Sequence, residues 1–68
     1  MNKVILEGPH ALGGFTVKII SPTGEVVEDW GNYCAYMYGL GAARYLSDSR
    51  KIRLENRVSE KDRLGEDE

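Results

Sequence analysis

FTVKIISPTGEVVED, residues 15–29, is the stretch that decides the fold. In its first half, Phe15, Val17 and Ile19 share one face and the intervening residues share the other, which predicts a strand with one buried face. SPTG then combines a proline that presets its backbone dihedral with a glycine that is free to take a positive φ. A second apolar run follows in EVVED. The whole stretch therefore predicts a β-hairpin.

The segments on either side of the hairpin extend this pattern. Upstream, KVILE at residues 3–7 predicts a strand, and GPHALGG after it predicts a loop. Downstream, residues 33–47 tolerate a helix, with Asp29 or Asn32 available to cap its start. Gly39 and Gly41 each cost about 1 kcal/mol relative to alanine inside a helix, so a kink between them is an alternative to a continuous helix.

The C-terminal third has two interpretations. KIRLENRV, residues 51–58, alternates apolar and charged side chains as a half-exposed strand does, and a second helix is the competing interpretation. Residues 61–68 are charged and predict a frayed tail beyond a single compact domain at residues 1–60. Together the segments predict an α+β fold of order β-β-β-α-β, with one helix packed on one face of a small antiparallel sheet.

Length and composition exclude several classes of protein. At 68 residues the chain forms one small domain, and Cys34 and His10 are its only cysteine and histidine. The longest uncharged run, residues 30–43, is shorter than the roughly 20 apolar residues of a membrane-spanning helix. We therefore expect a soluble, cytoplasmic protein.

The sequence lacks the residue patterns of catalytic and metal-binding sites. A metal site needs about four ligands at suitable spacing, and the lone cysteine and histidine have no partner motif. Cys34 lies in an apolar setting that predicts a buried, inert thiol. GLGAA lacks the third glycine and the βαβ context of a dinucleotide-binding loop. We predict no metal, no cofactor and no enzymatic activity.

The tyrosine-rich stretch NYCAYMYGLG, residues 32–41, is the most informative about partners. On a helical wheel, Leu40, Tyr33, Met37 and Tyr36 form the stripe that should face the sheet. Tyr38 and Tyr45 fall together on a second side that a domain this small cannot enclose. Either the C-terminal segment folds back over them, or they form a protein interface or a homodimer seam, because tyrosine and arginine are enriched there.

Arginines supply the remaining candidate binding residues. Arg44 lies beside Tyr45, and Arg53 and Arg57 share one face of the last predicted strand. With Tyr38 and Tyr45 they compose the predicted partner-binding residues, which would meet acidic residues of a protein partner. The alternative is a weak single-stranded nucleic-acid binder that uses the basic C-terminal third, although the net charge of the chain is −2.

These observations predict a non-enzymatic protein-binding module that acts by occluding a partner's surface. Small size, an aromatic helix and missing catalytic motifs are typical of phage or mobile-element proteins that inhibit host machinery, anti-CRISPR proteins among them. A structural homodimer subunit is the third alternative.

Overall fold

A computed structural model describes residues 1–63 of the chain. Its strands are β1 (Lys3–Glu7), β2 (Phe15–Ile20), β3 (Val26–Tyr33) and β4 (Arg53–Asn56), and its helix is α1 (Tyr36–Arg50). A short 3-10 helix follows at Glu60–Asp62. The predicted α+β fold of order β-β-β-α-β is therefore confirmed.

The four strands form one sheet of order β3-β2-β1-β4. The predicted antiparallel pairing joins β1 to β2 and β2 to β3. Because α1 carries the chain back along the sheet before β4 begins, β4 runs in the same direction as β1 and pairs with it in parallel. The sheet is therefore mixed. The sequence left the strand order open, and the structure shows it to be β3-β2-β1-β4.

The predicted hairpin is present, and its second strand is longer than predicted. Its turn is closed by the Gly24 N–H, which donates to the Ser21 carbonyl at 2.9 Å. β3 continues beyond Asp29 to Tyr33 through an irregular pairing in which Gly31 takes a φ of 86° and its N–H donates to the Asp29 carboxylate. This bulge breaks the period-two alternation, so the sequence pattern does not mark the extension.

The core lies between α1 and one face of the sheet. Its helix side consists of Tyr36, Leu40, Ala43 and Leu46. The sheet side is lined by apolar residues of β1 and β2, namely Val4, Leu6, Phe15, Val17 and Ile19. Tyr36 packs edge-on against Phe15, with 5.8 Å between the ring centroids, and its hydroxyl accepts a 2.8 Å hydrogen bond from Asn56.

Small residues set how closely the helix lies on the sheet. A Cβ added at Gly39 would come within 3.0 Å of the Leu6 Cδ1 atom, so this glycine permits the close approach. The helix is continuous through Gly39 and Gly41. Met37, which the helical wheel placed in the sheet-facing stripe, is instead 41% exposed, because the buried stripe follows Tyr36, Gly39 and Ala43.

The helix ends later than predicted. Lys51 takes a left-handed conformation with φ 55° and caps α1 by donating its N–H to the Ser47 carbonyl. The chain then enters β4, so the strand interpretation is confirmed for residues 53–56. Beyond it, the Arg63 side chain donates to the Val58 carbonyl at 2.8 Å. The rest of the predicted tail, residues 64–68, lies outside the described residues, and the domain boundary stays a prediction.

Candidate binding surface

Tyr38 and Tyr45 lie on the outer side of α1, two helical turns apart. Their side chains are 65% and 62% exposed. The described part of the C-terminal segment, residues 51–63, pairs with β1 through β4 and leaves both rings exposed. Within residues 1–63, the alternative in which this segment folds back over the tyrosines is therefore not what the structure shows.

Trp30 of β3 extends this patch across to the sheet. Its ring centroid lies 6.4 Å from that of Tyr45, with a tilt of 49°, and the residue is 38% exposed. We refer to Trp30, Tyr38 and Tyr45 as the aromatic surface. Sequence reasoning missed Trp30. The available signal was its spacing of two residues from Glu28, which places both side chains on the same face of a strand.

Glu28 fixes the edge of the aromatic surface nearest β3. One of its carboxylate oxygens accepts a 3.1 Å hydrogen bond from the Trp30 indole N–H, and the two oxygens together accept a forked pair from the Arg50 guanidinium. Hydrogen bonds from Arg50, reinforced by the one from Trp30, lower the pKa of Glu28 to about 2. The carboxylate is therefore charged at neutral pH and its charge is matched by Arg50.

The floor between the two tyrosines is made of small residues. Gly41 is exposed and Ala42 is half-buried. Among residues 1–63, a Cβ added at Gly41 would have no atom within 4 Å apart from its chain neighbours and the backbone of its own helix. Gly41 and Ala42, which have no side chain or only a methyl group, thus separate Tyr38 from Tyr45 along the outer side of the helix.

Positive charge lies beside the aromatic surface. Arg44 is exposed and forms no ion pair with any acidic side chain of residues 1–63, and the exposed Asp48 lies one turn further along α1. The N-terminal end of α1 begins at Ala35 without a side-chain cap and has no acidic residue in its first turn. Because helix N-termini carry partial positive charge, the Tyr38 end of this surface favours acidic groups on a partner.

Arg53 and Arg57 lie on the opposite face of the sheet. In the β1–β4 register Arg53 is opposite Lys3, on the face that α1 does not cover. Arg57 forms ion pairs with Glu55 and with Glu7, the latter at 3.8 Å. The structure therefore brings Tyr38, Arg44 and Tyr45 together on the helix and places the other two predicted arginines elsewhere.

The ion pairs on that open face cover a buried aliphatic residue. Ile5, at the centre of β1, is fully buried although it points away from the helix-side core. It lies across from Lys18 and Glu55, and the pairs Lys3–Glu55 and Lys18–Glu7, each 2.6 Å long, close around it. Hydrogen bonds from Lys3 and then Arg57 lower the pKa of Glu55 to about 2.

Reactive and metal-binding groups are sparse in the described part of the chain. Cys34 is exposed between β3 and α1, in contrast to the buried thiol that its apolar neighbours predicted, because α1 begins only at Tyr36 and turns its buried stripe away from this residue. Among residues 1–63, no three His, Cys, Asp or Glu side chains are grouped as metal ligands. Nor does that range contain a helix of the length and apolarity needed to cross a membrane.

No protein-family model, curated protein or solved structure matches this chain.

Proposed function

We propose that this protein is a small protein-binding module that acts by occluding the surface of a partner. The observation that carries the proposal is the aromatic surface: two tyrosines more than 60% exposed, with the partly exposed Trp30 against one of them. Tryptophan, tyrosine and arginine are the residues that most often dominate binding energy at interfaces. A partner that covers these rings would remove a large apolar area from water.

The positive charges beside the aromatic surface indicate which kind of partner protein would bind there. Arg44 has no acidic neighbour bound to it within residues 1–63, and the uncapped helix N-terminus adds positive potential near Tyr38. Acidic side chains on the partner would meet both features and would speed association. Such a module needs no catalysis, and we place it in the cytoplasm among phage or mobile-element inhibitors of host machinery of the anti-CRISPR kind.

The sheet face that carries Arg53 and Arg57 offers less support for nucleic-acid binding. Arg57 is already held by two carboxylates, and the neighbouring lysines Lys3 and Lys18 are each paired with a glutamate. A phosphate backbone would have to displace these acids before it could be bound. Beside the aromatic surface, Arg44 forms no ion pair within residues 1–63.

The proposal is tested by comparing variants of the two faces. The double variant Tyr38→Ala/Tyr45→Ala, the control Arg53→Ala and the wild type are each used to capture proteins from the cells in which this chain is made, and the captured proteins are identified by mass spectrometry. A partner retained by the wild type and by Arg53→Ala, and lost by the double variant, supports the proposal. A partner that the double variant retains would contradict it.

A further inference from the structure

Trp30 is partly exposed, yet two contacts within the protein restrain its ring. The indole N–H, the only polar group of the ring, donates to the Glu28 carboxylate at 3.1 Å. The ring also packs against that of Tyr45, with 6.4 Å between the centroids. Because Glu28 belongs to β3 and Tyr45 to α1, the two contacts orient the ring relative to both elements.

Arg50 in turn holds the carboxylate that accepts the indole hydrogen bond. Its guanidinium donates to both Glu28 oxygens, and the bond from Nη2 to Oε1 is 3.0 Å long. A forked pair of this kind restrains the orientation of a carboxylate more than a single hydrogen bond does. Since Arg50 is the last residue of α1, the fork also ties this end of the helix to the edge strand β3.

Tyr38, at the other end of the aromatic surface, has no comparable restraint. Its side chain is 65% exposed, and within residues 1–63 it makes neither a side-chain hydrogen bond nor a ring contact. A partner that orders a mobile side chain loses binding free energy in doing so, whereas a side chain that is already ordered avoids this loss. The two ends of the aromatic surface therefore differ in how much order a partner must impose.

We infer that Trp30 is the pre-ordered anchor of the aromatic surface and that Glu28 and Arg50 are its positioning residues. This inference rests on the proposed function and specifies what the partner presents to that surface. Because Glu28 already accepts from the only donor of the indole, a partner meets an apolar ring and needs no hydrogen-bond acceptor there. The Glu28 and Arg50 charges also cancel, so the partner presents apolar side chains to Trp30, and its acidic residues belong at the Tyr38 end.

The first measurement needs no partner. Trp30 is the only tryptophan, so its indole N–H gives one assignable signal in a nitrogen-15-labelled sample, and NMR relaxation gives the order parameter of that bond. We expect an order parameter of about 0.85 in the wild type, as in rigid backbone, and below about 0.6 in Arg50→Gln, which removes the fork. A value in Arg50→Gln equal to that of the wild type overturns the inference.

The variants are chosen so that the fold is retained. The side chains of Arg50 and Glu28 are 43% and 39% exposed, and ion pairs this exposed contribute little to stability. Circular dichroism and thermal melting verify folding before each measurement. Glu28→Gln provides the same test independently, because its uncharged amide does not hold the fork. The matched control is Arg53→Gln, which changes an exposed arginine on the opposite face of the sheet and should leave the order parameter unchanged.

The second measurement uses binders with randomised loops, selected by display against the wild-type protein and grouped by the ring they require. For binders that Trp30→Ala abolishes, the affinity should fall about fivefold in Arg50→Gln, because the apparent dissociation constant rises as the binding-competent fraction of the ring falls. Glu28→Gln should give a similar loss, and the double variant no more than either single one, since both act through one ring. Arg53→Gln should leave the affinity within about twofold of the wild type.

Other outcomes separate the inference from the proposed function. Binders that require Trp30 but tolerate Arg50→Gln overturn the inference. Additive losses from Glu28→Gln and Arg50→Gln also overturn it, because each residue would then contact the binder itself. A set of binders that depends on Tyr38 or Tyr45 and tolerates Trp30→Ala overturns the anchor but leaves the proposed surface standing. Binders that depend on none of these rings count against both.

Discussion

The indole ring of Trp30 lies against the phenol ring of Tyr45, with 6.4 Å between the ring centroids, and thereby joins the edge strand β3 to the outer side of α1. Neither residue is buried in the core, and both are available to a partner. Trp30 is also the only tryptophan of the chain, so its fluorescence reports directly on this surface.

The exposed tyrosines should be dispensable for folding. Tyr38→Ala is expected to change the free energy of unfolding by less than about 0.5 kcal/mol, as surface substitutions do. Tyr45→Ala should cost about 1 kcal/mol because it removes the contact with Trp30, and should shift Trp30 emission to longer wavelength. Urea denaturation followed by circular dichroism measures both.

The matched control for these variants is the buried tyrosine of the same helix. Tyr36→Ala should cost about 3–5 kcal/mol, since it empties a core position beside Phe15. If Tyr38→Ala destabilises the domain as much as Tyr36→Ala does, the outer rings belong to the core and the proposed surface is wrong.

The hydrogen bond between Glu28 and Trp30 should survive to low pH. The folded-state pKa of Glu28 is lowered to about 2 from an ordinary 4.5, chiefly by Arg50. Its contribution to stability is therefore complete above pH 4.5 and is lost as the pH falls through about 2. The NMR shift of the Trp30 indole proton should titrate with a midpoint near 2, and the Glu28→Gln variant should abolish that titration. A midpoint close to 4.5 would show that Arg50 does not hold the carboxylate in solution.

The two helical glycines should respond differently to the same substitution. Gly41→Ala is expected to raise the free energy of unfolding by about 1 kcal/mol, because within residues 1–63 the new methyl group meets only its own helix backbone and chain neighbours, and alanine favours the helix. Gly39→Ala should fall short of that gain by more than about 1 kcal/mol, since its Cβ would approach the buried Leu6 side chain at 3.0 Å. Equal stabilisation of both variants in urea denaturation would mean that α1 does not lie as close to β1 as described.

Ile5, on the sheet face that α1 does not cover, should contribute as much to the free energy of unfolding as a residue of the helix-side core. Ile5→Ala is expected to cost about 2–5 kcal/mol, because its side chain is fully enclosed by the surrounding ion pairs and strands. Val26→Ala, on the same face but 52% exposed at the sheet edge, should cost less than about 1 kcal/mol. Similar losses for the two variants in denaturant titrations would show that the ion pairs do not shield Ile5.

Some of these features were predictable because they depend on neighbours in the chain. The alternation in residues 15–20 and the SPTG turn specify the hairpin whatever packs against it, and the aromatic side of the helix follows from the helical spacing of Tyr38 and Tyr45. The end of β3 was not predictable in this way. A bulge at Gly31 interrupts the alternation, so the local pattern does not mark residues 30–33 as a continuation of the strand that pairs with β2.

The predicted binding residues show the same contrast between what local spacing sets and what tertiary contacts set. The sequence by itself determined that Tyr38 and Tyr45 share one side of a helix and that Arg53 and Arg57 share one side of a strand, since both follow from the geometry of a single element. Only the tertiary structure decided that these two sides lie on opposite faces of the sheet, that Trp30 joins Tyr45, and that Arg57 is bound by Glu55 and Glu7. Those relationships depend on strand order and on the parallel pairing of β4 with β1, which are contacts between distant segments that no local pattern records.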